Sequence, residues 1–219
     1  MEAIERISVS QDWVTMLFLA TILLLTAVKA RYYQRFGEFI MLFATNKYLL
    51  LRSKDTGVSH PFNIILFIVN LISVSLFIYL FYDLYTDTPI LRPEVTYLRI
   101  ATAYASFVLL KFSIERIAAN ILDFEEKMEE YQFFKLTYRN FLALILIPIN
   151  LIFYYAWQPT LTTLYLLIAI ILGLNLVSIL DVFRKNSRYI LRNGLHFILY
   201  LCALEIGPYF ILYKLITIA

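Results

Sequence analysis

The stretch that decides the fold is Leu195–Leu215, LHFILYLCALEIGPYFILYKL. Coiled as a helix it is about 31 Å long, enough to cross the hydrocarbon core of a bilayer. Within it stand His196, Glu205, Pro208 and Lys214. An Asp, Lys or Arg at the centre of a bilayer costs about 2.5–3.5 kcal/mol on insertion scales, so such a group faces protein, water or a partner charge. A second stretch, around Lys111, Glu115 and Arg116, has the same character. The two read as facing helices.

Working outward, the chain of 219 residues is 61% hydrophobic, with a mean hydropathy of +0.74. A soluble domain is about 45–50% apolar by a similar count. The excess falls in separate blocks of span length. A net charge of +3 is too small to argue for nucleic acid. The single cysteine, Cys202, excludes an intramolecular disulfide and cysteine-based zinc ligation. Many of the 17 Tyr and 18 Phe fall at block ends, where amphipathic rings suit the boundary between water and lipid.

The pattern predicts an all-α fold, a polytopic transmembrane helix bundle forming a single integral membrane domain over 1–219. Six spans are expected, at about 13–30, 62–82, 97–119, 141–157, 160–180 and 194–216. The N-terminus does not read as a cleaved signal. Glu2, Glu5 and Asp12 stand where a positive segment belongs, and Lys29-Ala30-Arg31 stops the first apolar block. Residues 31–51 place Tyr32, Phe36, Phe39, Ile40 and Phe43 at helical spacing, with Arg31, Gln34, Arg35 and Glu38 off that stripe. Two readings stand for this amphipathic helix. It lies on the membrane surface, or it packs on its own bundle.

The third span is expected to continue as a charged cytoplasmic helix through Arg139. Ile117, Ile121, Phe124, Met128 and Tyr131 form one apolar stripe, with Glu125, Glu126, Glu129 and Glu130 mostly away from it. An acidic run of this kind reads first as a solvated face. Pro148 is expected to kink the fourth span. Gln158-Pro159 leaves almost no loop before the fifth, so the two form a tight hairpin.

Charge sets the orientation. Lys29, Arg31, Arg35, Lys47, Arg52, Lys54, Arg116, Lys127, Lys135, Arg139, Arg184, Lys185, Arg188 and Arg192 fall on one side. Arg6, Arg92 and Arg99 fall on the other, and Lys111 and Lys214 lie within spans. Positive residues mark the cytoplasmic side, so both termini are expected outside the cytoplasm.

In that topology Lys111 and Glu205 lie about 12 and 16 Å from the inner face, within reach if the third and sixth spans touch. Glu115 and His196 form a second possible pair nearer the boundary. Lys111 and Glu115 are four residues apart and share a helix face. Pro208 leaves the carbonyl of Leu204 without its helical donor, which makes residues 204–208 a kinked polar point. Together Lys111, Glu115, His196, Glu205 and Pro208 are the candidate intramembrane polar site. Arg116 and Arg139 are cytoplasmic-side charges. The functional reading is an ion path or a polar cavity. The bland one is a static ion pair that fixes helix register. Lys214 reads as a snorkelling anchor and His196 alone as an interfacial histidine. Asn70, Asn150 and Asn175 read as helix-joining polar residues, and Ala101 with Ala105 as a helix-contact step.

No G-x-S-x-G, H-E-x-x-H or P-loop pattern occurs, no aspartate pair suits a protease dyad, and no paired histidines suit haem. No catalytic residue, cofactor or metal is therefore assigned.

Lys111, Tyr131, Phe133, Asn140, His196, Leu204, Glu205, Pro208, Leu212 and Lys214 carry a resemblance. The chain resembles an uncharacterised family of multi-pass inner-membrane proteins of Bacteroidota, defined as a domain of unknown function. That resemblance implies a bacterial inner-membrane location and brings no activity with it. The first functional expectation is a non-enzymatic component or scaffold of a cell-envelope complex, with the lipid bilayer and membrane-protein partners or a second copy of itself as partners. The second is a small transporter or ion-coupled channel using Lys111, Glu115 and Glu205. The third is a lipid-modifying enzyme, resting on Glu115, Arg116 and Arg139.

Overall fold

In the computed structural model the described residues are 12–43, 59–86, 92–121, 125–175 and Lys214. Among them the fold is all helical, without strands. Helix α1 is Asp12–Arg31 and α2 is Tyr33–Ile40, closed by a 3-10 turn at Met41–Phe43. Helix α3 is Pro61–Tyr85, α4 is Pro93–Ile121, α5 is Glu125–Tyr155 and α6 is Leu161–Asn175. The helices α1, α3, α4 and α5 are each long and apolar enough to cross a membrane.

Local chemistry places several helix ends. Helix α1 carries Asp12 in its first turn and Lys29 and Arg31 in its last, each opposing the helix dipole's charge at that end. Helix α3 starts on Pro61, whose fixed φ suits the first helical position. Its cap is His60, whose Nδ1 accepts the Phe62 N–H at 3.1 Å. Helix α4 likewise opens on Pro93 with Glu94 in its first turn.

Helix α3 is the centre of the bundle and packs on α1, α4 and α5. A seam of side chain to backbone hydrogen bonds joins it to α5. Asn70 Nδ2 donates to the Arg139 carbonyl at 3.0 Å, and Ser73 Oγ to that of Ala143 at 3.2 Å. In the other direction, Asn150 Nδ2 donates to the Ser73 carbonyl at 2.8 Å and the Tyr154 hydroxyl to that of Leu76 at 3.1 Å. Tyr104 of α4 donates to Asn70 Oδ1 at 3.2 Å, which ties a third helix to the same asparagine. Asn70 and Asn150 thus join helices as expected. Asn175 bonds within its own helix, to the Ile171 carbonyl at 3.0 Å.

The outer faces are apolar too. On α1, Val14, Phe18, Thr21 and Val28 are buried, while Met16, Leu19, Ile22 and Leu23 are exposed. A helix that is apolar all round but buried along one stripe has its remaining surface suited to lipid.

Helix α2 packs on the bundle. Phe39 is 1% exposed and meets Phe62 and Phe141 edge-on, at centroid distances of 5.9 and 5.8 Å. Phe36 and Leu42 join the same cluster, whereas Ile40 lies exposed on the other face.

The expected continuation of the third span is replaced by a reversal. Helix α4 ends at Ile121, and the charged segment is the first half of α5, which runs back along α4. The supposed single stripe divides accordingly. Ile117 and Ile121 are 61% and 77% exposed, while Met128 and Tyr131 are buried. Helix α5 then continues through Pro148, which lies exposed on its surface, to Tyr155. A short connection leads into α6, and Leu164 docks against Phe77, Leu146 and Phe153, forming the expected hairpin. The remainder of the expected fifth span and the whole of 194–213 lie outside the described residues.

The bundle has two chemically different ends. At one, Trp13 meets Tyr79 and Tyr97, each at 5.3 Å, and Phe18 meets Tyr154 at 6.2 Å. Among the described residues, Arg92 and Arg99 are the cations in that half. Lys29, Arg31, Arg35, Arg116, Lys135 and Arg139 lie in the other half.

Candidate binding site: a cation-lined cleft

In the basic half, α3, α4 and α5 surround a cleft of about 360 Å³. Helix α4 supplies Lys111 and Glu115, which fall one turn apart on the same face as expected. Helix α5 supplies Gln132, Lys135 and Arg139, spaced by three and four residues so that they also share a face. Asn63, from the first turn of α3, completes the polar lining.

Glu115 is 4% exposed and Lys111 7%. A carboxylate buried to this degree stays charged only with a close counter-charge. Its partner is Lys135, whose Nζ lies 2.9 Å from Glu115 Oε1. Gln132 Nε2 donates to the Phe112 carbonyl at 3.3 Å and also reaches Glu115 Oε2 at 3.5 Å. The pairing therefore runs across the α4–α5 interface.

Arg139 lies differently. Its guanidinium sits over the Phe67 ring, 5.5 Å from the centroid. Its Nε is buried without a hydrogen-bond acceptor. The cleft thus holds a packed cation with donor capacity to spare. Its mouth is flanked by Ile64 and Leu109, 49% and 55% exposed.

Arg116 is exposed, one step round α4, and borders a separate cavity of about 110 Å³ with Ser59, Glu129 and Gln132. His196, Glu205 and Pro208 lie outside the described residues, so the structure neither joins them to Lys111 nor separates them. Lys214 is exposed. Sequence reasoning passed over Asn63, Gln132 and Lys135. The last two were accessible from the spacing of Gln132, Lys135 and Arg139, which repeats on one helical face. Among the described residues no three His, Cys, Asp or Glu side chains come together as metal ligands.

No curated protein and no solved structure matches the chain. A family model described as a domain of unknown function (DUF4271) matches residues 14–216, nearly the whole length, and the chain belongs to that family.

Proposed function

We propose that the protein is a multi-span component of a bacterial inner membrane that works by binding and assembly, as part of a cell-envelope complex, with its basic half toward the cytoplasm. The observation that carries this reading is the engagement of Glu115. Its carboxylate is held by Lys135 and Gln132, which fasten α4 to α5. A buried acid held this way serves architecture, whereas a proton carrier must exchange its partner during each cycle. Four long apolar helices support the membrane setting. The cation asymmetry between the two ends supports the orientation. Mild detergent extraction followed by cross-linking tests the assembly role. A stoichiometric membrane partner or a second copy is expected, and recovery of a monomer alone contradicts it.

A second reading is favoured by the burial of Lys111 beside the cleft. Here Lys111 faces Glu205 of the last span, and the two line an ion-coupled path. Lys111→Met and Glu205→Leu separately are then expected to lower protein accumulation, since each strands a charge at a cost of about 3–5 kcal/mol. The double variant recovers accumulation. Proton flux in liposomes that persists in the double variant removes the pair from the path, and no flux from the unaltered chain removes the transport reading. A double variant worse than both singles combined removes the pairing itself.

A further inference from the structure

The Trp13 end of the bundle carries carboxylates that no described cation pairs. Asp83 falls one turn past Tyr79 on α3, and Glu94 one turn before Tyr97 on α4. Both are exposed, and among the described residues neither takes part in an ion pair. Arg99 lies two residues past Tyr97, on another side of α4, and Arg92 precedes that helix. Exposed acids alone make no more than a solvated face.

A buried phenol sets this corner apart. Tyr79 is 6% exposed. Buried tyrosines normally place their hydroxyl in a hydrogen bond. Those of Tyr104 and Tyr154 do so, with Asn70 and the Leu76 carbonyl. The Tyr79 hydroxyl bonds to no described group. Nor is it sealed, for the enclosed polar atoms without partners belong to Ser75, Arg139, Asn140 and Asn150. It therefore ends at the surface, within electrostatic reach of Asp83 and Glu94. Beside it, Trp13 stands perpendicular to the Tyr79 ring at 5.3 Å and meets the Tyr97 ring at 5.3 Å. Of the three rings, that of Trp13 is the most exposed.

Two carboxylates, a phenol oxygen and an indole select one kind of cation. A hard metal ion takes a fuller oxygen shell than these three groups offer. An aromatic face attracts an organic ammonium. A primary ammonium brings three N–H donors, and Asp83, Glu94 and the Tyr79 hydroxyl offer an acceptor to each. A quaternary ammonium has no donor to give them. We propose that this corner of α1, α3 and α4 binds a primary ammonium group, with Asp83, Glu94 and the Tyr79 hydroxyl as acceptors and Trp13 as its aromatic wall. A soluble amine and the ethanolamine headgroup of a lipid carry the same group. The site goes beyond the assembly reading and lies apart from the α3–α4–α5 cleft.

The test uses the full chain in phosphatidylcholine nanodiscs, which leave both faces open to solvent and whose headgroup is quaternary. Trp157→Phe leaves Trp13 as the single indole of a chain that has two. In that background n-propylammonium chloride is expected to change the Trp13 emission saturably. Its Kd is expected to lie about three-fold or more below that of tetramethylammonium, the worth of exposed charged contacts. Tyr79→Phe keeps the buried ring and breaks no hydrogen bond, so the fold is retained. It is expected to weaken n-propylammonium about three-fold and to leave tetramethylammonium unchanged, because only the primary ammonium uses the hydroxyl. Asp83→Asn, at an exposed position, is expected to weaken n-propylammonium by about the same factor. No saturable change, equal affinity for the two cations, or a Tyr79→Phe titration identical to that of its parent overturns the proposal. The same response to potassium chloride overturns it as well. Discs that contain phosphatidylethanolamine separate the two carriers. A weakened apparent affinity for n-propylammonium there supports the site and names the lipid headgroup, and an unchanged one supports the site and names a soluble amine.

Discussion

Glu115 and Lys135 show how one residue pair can hold two helices of an apolar bundle. Glu115 is 4% exposed, and its partner lies on the neighbouring helix 2.9 Å away. Removing the cation leaves a carboxylate in an apolar interface, which costs about 3–5 kcal/mol in comparable pairs. Lys135→Met is therefore expected to lower the thermal midpoint of the detergent-purified protein markedly. Glu115→Leu combined with Lys135→Met is expected to restore most of the loss, because an apolar pair packs where the charges were. A Lys135→Met midpoint equal to that of the unaltered chain contradicts the pairing. At this scale the sequence was half legible. The buried charges on α4 were recognisable because few other ionisable residues interrupt the apolar blocks. Their partners were not, since a contact between helices depends on where the chain turns back, and periodicity within one helix carries no trace of that.

Helices α2, α4 and α5 show what periodicity can and cannot settle. The stripe through Phe36 and Phe39 predicted an amphipathic helix, and α2 is one. Its apolar face meets Phe62 and Phe141, which decides in favour of packing on the bundle. Truncating a large buried aromatic costs about 3–5 kcal/mol. Phe39→Ala is expected to undock α2 and to speed trypsin cleavage after Arg31 and Arg35 in detergent. Unchanged cleavage contradicts the docking. Between α4 and α5 the same method failed for a definite reason. Residues 117, 121, 124, 128 and 131 keep helical spacing across a reversal of the chain, and no Gly or Pro stands between Ile121 and Glu125 to mark it. Asn120 and Asp123 are residues that favour helix ends, and they were the sole local signal. The seam of Asn70, Ser73, Asn150 and Tyr154 was legible in part. The asparagines announced helix joining, but their acceptors are backbone carbonyls, which no sequence pattern identifies.

At the scale of the molecule, length and hydropathy were enough for an all-helical bundle with several helices of membrane-spanning length. The cleft was not legible, because it exists where three helices from distant parts of the chain converge. Its cations gather in the half of the bundle that holds most of the described Lys and Arg, and that shared polarity is the centre of the account. The proposed orientation turns the basic half toward the cytoplasm, with Arg139 and Lys135 at the inner boundary of the bilayer and the Trp13, Tyr79 and Tyr97 cluster at the outer one. Topology reporters test this most directly. Fusions after Asp55, Glu126 and Lys185 are expected to report the cytoplasm, and a fusion after Thr88 the opposite side. A fusion after Glu126 that reports the outer side contradicts the orientation, and with it the placement of the cleft.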